Sequence, residues 1–237
     1  MKFNFSEFLK FADKNNIFLP ENTCECLEIY GNLLIEWNEK INLTAITEPE
    51  EIVCKHFTDC AALLKFADIK SGTKLIDIGS GAGFPGMVLK ILRPDAEISL
   101  LDGHAKRFIF LEDLQKHLGI YTSNIHLRAE LASKDENFRE KFDFVTARAV
   151  AKLNTLSEYC LPFLKTGGTF FSMKSGEIKE ELNESLKAIK ILGGDKPHLN
   201  FITLYDNSER SIVEIKKISQ TPTKYPRASA KISKQPL

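Results

Sequence analysis

The sequence predicts a doubly wound α/β domain, a mostly parallel sheet with helices on both faces. Three observations predict it. A glycine-rich turn joins an apolar strand to a helix at Leu75–Leu92, and strands and helices alternate from about Thr73 onward. The last two strand-like runs have no helix between them, which implies a reversed edge strand on an otherwise parallel sheet. Right-handed crossovers then place a ligand at the carboxyl ends of the strands.

The chain is organised around Leu75-Ile-Asp-Ile-Gly-Ser-Gly-Ala-Gly-Phe-Pro-Gly86. Leu75 to Ile78 form a short buried strand, and Asp77 brings a carboxylate near its end. Gly79, Gly81 and Gly83 let the backbone turn sharply and approach a ligand with no Cβ in the way. Pro85 suits the start of a helix that Met87 to Leu92 carry onward. Gly81-Ala-Gly-Phe-Pro-Gly86 is a literal dinucleotide pattern. Its register is displaced, however, because the glycines begin at Gly79. A carboxylate at Asp77 also repels a pyrophosphate and attracts a cation. S-adenosylmethionine, with its ammonium and sulfonium, fits better than a dinucleotide, which stays as the second reading.

The chain has 237 residues, 43% of them apolar, enough for one large domain plus an extension. No run reaches the roughly 18 apolar residues that cross a bilayer. Met1-Lys-Phe-Asn-Phe-Ser lacks the features of a signal peptide. Five cysteines without paired spacing read as small hydrophobes in a reducing cytoplasm, and no metal site is expected. Net charge is zero but uneven. Lys216, Lys217, Lys224, Arg227, Lys231 and Lys234 lie in a segment with no acid, which leaves 26 basic against 32 acidic residues elsewhere. A tail of this kind contacts a polyanion or is simply solvated.

Residues 1–66 read as a helical extension, 67–218 as the α/β domain and 219–237 as the basic tail. In the extension, Ser6 is expected to cap a first helix, and Leu27, Tyr30, Leu34 and Trp37 give a second helix one apolar face. Thr47-x-x-Glu50, with Pro49 in the first turn, opens a third. There His56 and Asp59 form a hydrogen-bonded pair or line a ligand site.

In the domain, Glu97–Asp102 is the second strand. Asp102 stands at its end, either accepting from ribose hydroxyls or capping the helix from about Ala105 to Leu118. Lys106 and Arg107 in that helix's first turn oppose its dipole and point to an anionic partner. Asn124–Glu130 is expected as the third strand and Lys141–Arg148 as the fourth, followed by a helix over Leu153–Leu164. Thr169–Lys174 is the fifth strand, and a helix spans Glu177 to Leu192. Strands near Asn200–Leu204 and Ser211–Ile218 close the sheet. Asp77, Asp102, Glu130, Arg148 and Lys174 all fall at one rim.

These residues resemble the ribosomal RNA small-subunit methyltransferase G family, also called glucose-inhibited division protein B. The resemblance rests on Trp37-Asn…Ile41-Asn-Leu-Thr-Ala-Ile46, His56-x-x-Asp59, the Asp77–Gly86 loop and Lys106-Arg107…Phe110-Leu111. It extends through Arg128-Ala-Glu130, Thr146-Ala-Arg-Ala149, Lys174-Ser-Gly176 and Thr221-Pro-x-Lys-Tyr-Pro-Arg227. It implies a Rossmann-like class I methyltransferase domain that methylates N7 of a guanine in 16S ribosomal RNA, with S-adenosylmethionine as donor. It implies cofactor contacts at Gly79, Phe84, Ala129, Glu130 and Arg148. Lys106, Arg128, Arg148 and Lys174 match basic positions for the target RNA and activity. Three positions depart from the family pattern: Gly103 after Asp102, Cys60 after Asp59, and Ala230 in the tail.

Guanine N7 carries a free lone pair, so no general base is required and the enzyme mainly positions its reactants. Arg148 and Lys174 are the candidate catalytic residues. Arg148 offers a planar fork to a guanine edge or a phosphate, and Lys174 offers a point charge to a phosphate; either can instead be a surface ion pair. Asp77, Gly79, Gly81, Gly83, Phe84, Asp102, Ala129, Glu130 and Arg148 are the candidate cofactor residues. Lys106, Arg128, Lys174, Lys224 and Arg227 are the candidate RNA contacts. The expected partner is 16S RNA in the 30S subunit or an assembly intermediate, met by a monomer. A methyltransferase acting on a small molecule or protein, and a nucleotide-binding module without catalysis, are the competing readings.

Overall fold

The computed structural model describes residues 2–237. Helices α1 (Ser6–Lys14) and α2 (Thr23–Asn38) open the chain. Helix α3 (Pro49–Ile52) runs through a wider π-helical turn at Val53–Thr58 into α4 (Asp59–Ala62). The domain follows as β1 (Lys74–Ile78), α5 (Gly86–Leu92), β2 (Glu97–Asp102), α6 (Ala105–Leu118), β3 (Ser123–His126) and α7 (Ala129–Ala132). Next come β4 (Phe142–Arg148), α8 (Leu153–Cys160), β5 (Leu164–Ser175), α9 (Lys179–Ile191), β6 (His198–Thr203) and β7 (Glu209–Lys216). Helix α10 (Ser229–Lys234) ends the chain.

The seven strands form one sheet in the order β3-β2-β1-β4-β5-β7-β6. The order reverses at β1, where β2 pairs on one side and β4 on the other, both parallel. That switch point is where an open α/β sheet leaves a crevice for a ligand. The reversed strand is β7, antiparallel to both neighbours. It sits one place in from the edge, so the outermost strand, β6, runs with the central ones.

Each face of the sheet has its own apolar cluster. One gathers α5 and α6 with Phe8, Leu27, Tyr30, Leu34 and Phe57 of the N-terminal helices. The other gathers α8 and α9 with Tyr225 of the C-terminal segment. The N-terminal helices therefore complete the core on one face. Trp37 fixes their angle by donating to Asp113 of α6 at 2.8 Å.

Several local expectations give way to the tertiary structure. Ser6 is the first residue of α1 and caps nothing; its N–H donates to Asn4 Oδ1 at 3.0 Å. Thr47 makes no cap either, and α3 starts at Pro49 after Glu48. The third strand stops at His126, because Glu130 belongs to the first turn of α7. The helix expected to reach Leu164 ends at Cys160 in a 3-10 turn over Leu161–Phe163, where Pro162 has no N–H to continue it. Lys165-Thr-Gly-Gly168 lies within β5.

Candidate cofactor cleft and its rim

A cleft of about 500 Å³ opens at the carboxyl ends of β1 and β2, within the range of small-molecule sites. Gly79 forms part of its floor. The Gly79 and Ser80 N–H groups both donate to Leu101 O, at 2.8 and 3.1 Å, which pulls the turn onto β2. At φ +94, Gly83 meets the opposite constraint: a Cβ there would lie 2.6 Å from Tyr30 Oη. Tyr30 in turn donates to Ala82 O. Phe84 stacks between Tyr30, at 5.2 Å, and His56, at 4.4 Å. Hence Gly83 and Phe84 face the N-terminal helices. Among the glycines of the loop, it is Gly79 that lines the cleft, while Gly81 donates its N–H to Asp102 at 3.0 Å.

The three acids of the rim have different fates. Asp77 is fully buried and does not line the cleft. It accepts from Gly86 N–H at 2.8 Å and Thr146 Oγ1 at 3.2 Å, so it ties the start of α5 to β1 and β4. Burial pushes its carboxyl up to about 7, against those hydrogen bonds. The expected role as an open partner for a cation gives way to that of an internal brace.

Asp102 does reach the cleft, but its acceptor sites are filled. Its Oδ1 accepts from His104 N and Nδ1, and its Oδ2 from Gly81 N and Arg107 Nη1. A carboxylate offers about four such sites. A ribose must therefore displace His104 or Arg107, whose side chains are 74% and 35% exposed and able to move. Burial would raise the Asp102 carboxyl, yet the bonds from Arg107 and His104 outweigh it and hold the group below the usual carboxylate range. Glu130 is the free acid of the three. It lines the cleft, is 7% exposed, and its side chain makes no hydrogen bond among the described residues. Ala129 lines the cleft beside it.

The cations divide in the same way. Arg148 turns away from the cleft: Nη1 donates to Asp59 Oδ2 at 2.9 Å and Lys55 O at 3.1 Å, and Nη2 faces His56 Nδ1 at 3.1 Å. Its guanidinium also lies 5.0 Å from the Phe84 ring centre. His56 and Asp59 are thus joined through Arg148 rather than to each other. Burial, then the charge of Arg148, lowers His56 to about 3, which leaves the ring neutral. Its Nε2 sits 2.8 Å from Thr44 Oγ1.

Lys174 is also engaged, with Ala151 O and Glu181 Oε1, both at 2.7 Å. Arg227 is locked by hydrogen bonds and an ion pair onto Glu158, a residue with no exposed surface. Arg128, on the cleft, and Lys106, beside it, are exposed and make no ion pair or hydrogen bond through their side chains among the described residues. Lys224 is exposed, its Nζ 5.3 Å from the Tyr225 ring.

The C-terminal segment is a strap rather than a loose tail. Arg139 donates to Thr221 O at 2.8 Å and Tyr225 O at 3.0 Å. Lys217, fully buried, donates to Leu161 O at 2.6 Å and Thr221 Oγ1 at 2.7 Å, and burial brings its amine down to about 8. The strap carries Ser229 to the cleft. Four residues that no sequence motif singles out are central to these contacts: Arg139, Glu158, Glu181 and Arg210. Arg210 Nε lies 3.2 Å from Asp59 Oδ1. Each holds a partner far away in sequence, a relationship that no local spacing displays.

Comparison with known proteins identifies the family and agrees with the fold. The chain is 47% identical over 232 residues to a ribosomal RNA small subunit methyltransferase G from Desulforamulus reducens, covering 97% of each protein. It is 44% identical to one from Clostridium tetani, covering 93% of each. Among solved structures, it superposes on a precorrin-6y C5,15-methyltransferase from Geobacter metallireducens with a TM-score of 0.53 and 13% identity. That match covers 76% of this chain and 95% of the other. A SAM-dependent O-methyltransferase from Thermotoga maritima gives 0.52 and 16%, covering 80% of this chain and 73% of the other; likenesses this remote concern the fold alone. A model of the family described as rRNA small subunit methyltransferase G matches residues 23–213. With that match and relatives that align almost end to end, the chain belongs to the rRNA small subunit methyltransferase G family.

Proposed function

We propose that the cleft binds S-adenosylmethionine and that the protein methylates ribosomal RNA of the small subunit, at N7 of a guanine in 16S RNA. In this reading the substrate is the 30S subunit or an assembly intermediate, and the protein acts as a cytoplasmic monomer. The observation that carries the proposal is the family match over residues 23–213, which contains every cleft-lining residue except Ser229.

The residues of the cleft suit this cofactor. Gly79 admits a close backbone approach. Glu130 supplies unused acceptor oxygens in a buried setting, and Asp102 supplies a second acid once Arg107 or His104 moves aside. Arg107 and Arg128 line the cleft as well, but the buried acid with unused oxygens, Glu130, suits a cationic group better than a pyrophosphate. When bound, S-adenosylmethionine supplies an electrophilic methyl group on a sulfonium. The protein's own task is to hold a guanine with N7 roughly 3–3.5 Å from that methyl and to keep water out. No proton has to be removed from guanine N7, so none of the rim residues is required to act as a base. Exposed Arg128 and Lys106 are placed to meet RNA phosphates.

The test is transfer of labelled methyl from S-adenosylmethionine to 30S particles and, in parallel, to protein-free RNA. Borohydride and aniline cleavage then reports N7-methylguanine. Cleavage at one guanine is expected. Label without cleavage would refute N7, and no label on either substrate would refute the RNA reading.

A further inference from the structure

The loop between β4 and α8 forms one wall of the cleft through Ala149 and Val150. It packs tightly against the glycine turn: a Cβ placed on Gly79 would lie 2.7 Å from Val150 Cγ2. Ala149 has φ +55, a left-handed conformation for a residue that is not glycine. Such a backbone costs about 1–2 kcal/mol and persists only where its surroundings hold it.

Two side chains supply that hold. Lys174 Nζ donates to Ala151 O at 2.7 Å and to Glu181 Oε1 at 2.7 Å. The same Oε1 accepts from Leu153 N–H at 2.6 Å. Leu153 is the first residue of α8, whose N-cap position, Lys152, gives no side-chain cap, so Glu181 caps the helix from α9. The Lys174 and Glu181 side chains are 13% and 25% exposed. An ammonium has three donors, and two of these are spent on the loop and its clamp.

We propose that Lys174 and Glu181 act as one positioning unit, which fixes the Ala149–Lys152 loop against Gly79 and so shapes the cofactor cleft. Lys174 then serves methylation through that loop and not through an RNA phosphate. The inference rests on the reading of the cleft as a S-adenosylmethionine site. It also assigns a role to Glu181, seven residues beyond Lys174 on another element.

The test uses the full chain with Lys174→Ala, Glu181→Ala and the double variant. It measures Kd for S-adenosylmethionine by calorimetry, kcat and KM for 30S particles, and amide exchange at Ala151–Leu153 without cofactor. Either single change should raise the cofactor Kd about tenfold or more, as loss of a charged hydrogen bond does. KM for RNA should hold, exchange at Leu153 should accelerate, and the double variant should match the singles because the two residues share one function. Glu181→Gln, which keeps an acceptor for Leu153 and Lys174, should recover most of the affinity. An increase in KM for RNA on Lys174→Ala, with cofactor Kd and loop exchange unchanged, would overturn the proposal. Multiplying effects in the double variant would overturn it too. Should Glu181→Ala fail to fold, Lys174→Ala and Glu181→Gln decide by the same criteria. Wild-type protein that bound no S-adenosylmethionine would refute the cofactor reading, and loop exchange would then decide the clamp by itself.

Discussion

Arg148 and Asp59 meet at 2.9 Å where the N-terminal helices join the end of β4. Their side chains are 16% and 8% exposed, so the pair is largely desolvated. Asp59 also faces Arg210, 3.2 Å away on β7, and so bridges two arginines from two strands with its one negative charge. Removing one member of a buried pair leaves the other charge uncompensated, at a cost of about 3–5 kcal/mol. Asp59→Ala should therefore lower the unfolding free energy by that order and release Arg148 from the Phe84 stack. Chemical denaturation beside a methylation assay checks it. An Asp59→Ala protein of wild-type stability would show that the pair contributes little. Arg148 faces away from the cleft, so Arg148→Ala should lower methylation through loss of this packing, with near-normal turnover counting against any role for it.

Two separate buried groups, Asp77 and His56, give pH signatures of opposed sign. Asp77, raised to about 7 in the folded protein, takes up a proton on folding. Its contribution to stability is fully present below its unfolded value near 4 and is lost as pH rises toward 7. His56, lowered to about 3, behaves oppositely: its contribution is present above about 6.5 and is lost as pH falls toward 3. Each has a limiting slope of about 1.4 kcal/mol per pH unit, so the two nearly cancel between pH 4 and 6.5. Asp77→Asn should expose the His56 loss as a steeper fall in acid. His56→Gln should leave a stability that declines as pH rises. Denaturation series from pH 4 to 8 on both variants settle the signs.

The glycine turn separates space from backbone conformation. At Gly83 an added Cβ meets Tyr30 Oη at 2.6 Å and Met87 Cβ at 2.9 Å, with φ at +94. At Gly81, φ is +58 but the nearest atom to such a Cβ is Gly79 O at 3.9 Å. Gly81→Ala should cost about 1–2 kcal/mol, the left-handed penalty by itself. Gly83→Ala should cost more and disturb the contact between α2 and the turn. Melting curves that ranked the two the other way would mean that the neighbours of Gly83 yield easily.

The sheet was legible because each central strand is a short apolar run with a functional residue at its end, as in Leu75–Ile78 or Phe142–Arg148. The glycine turn was legible because its backbone demands glycine. The direction of the side chains was not. Nothing local distinguishes Asp77, which braces the turn from inside, from Glu130, which stays free in the cleft. Arg227 carries the same charge as Lys224, yet its partner Glu158 lies 69 positions away. Caps failed for the opposite reason: Ser6 and Thr47 have the right chemistry, but neither side chain makes the capping bond.

That difference among cations makes the last prediction. Lys106 and Arg128 are exposed and unpaired beside or on the cleft, so their loss should weaken RNA binding with little change in stability. Each Ala substitution should lower the slope of log affinity against log salt by about 1, the mark of one phosphate contact removed. Arg227→Ala should act by another route. It would strand the Glu158 carboxylate, which has no exposed surface, at about 3–5 kcal/mol, and loosen the strap that brings Ser229 to the cleft. Its salt slope should stay that of the wild type while its melting temperature drops. RNA binding at several salt concentrations, paired with thermal melts of all three variants, separates the two behaviours. A stable Arg227→Ala protein with a shallower slope would return Arg227 to the RNA contacts.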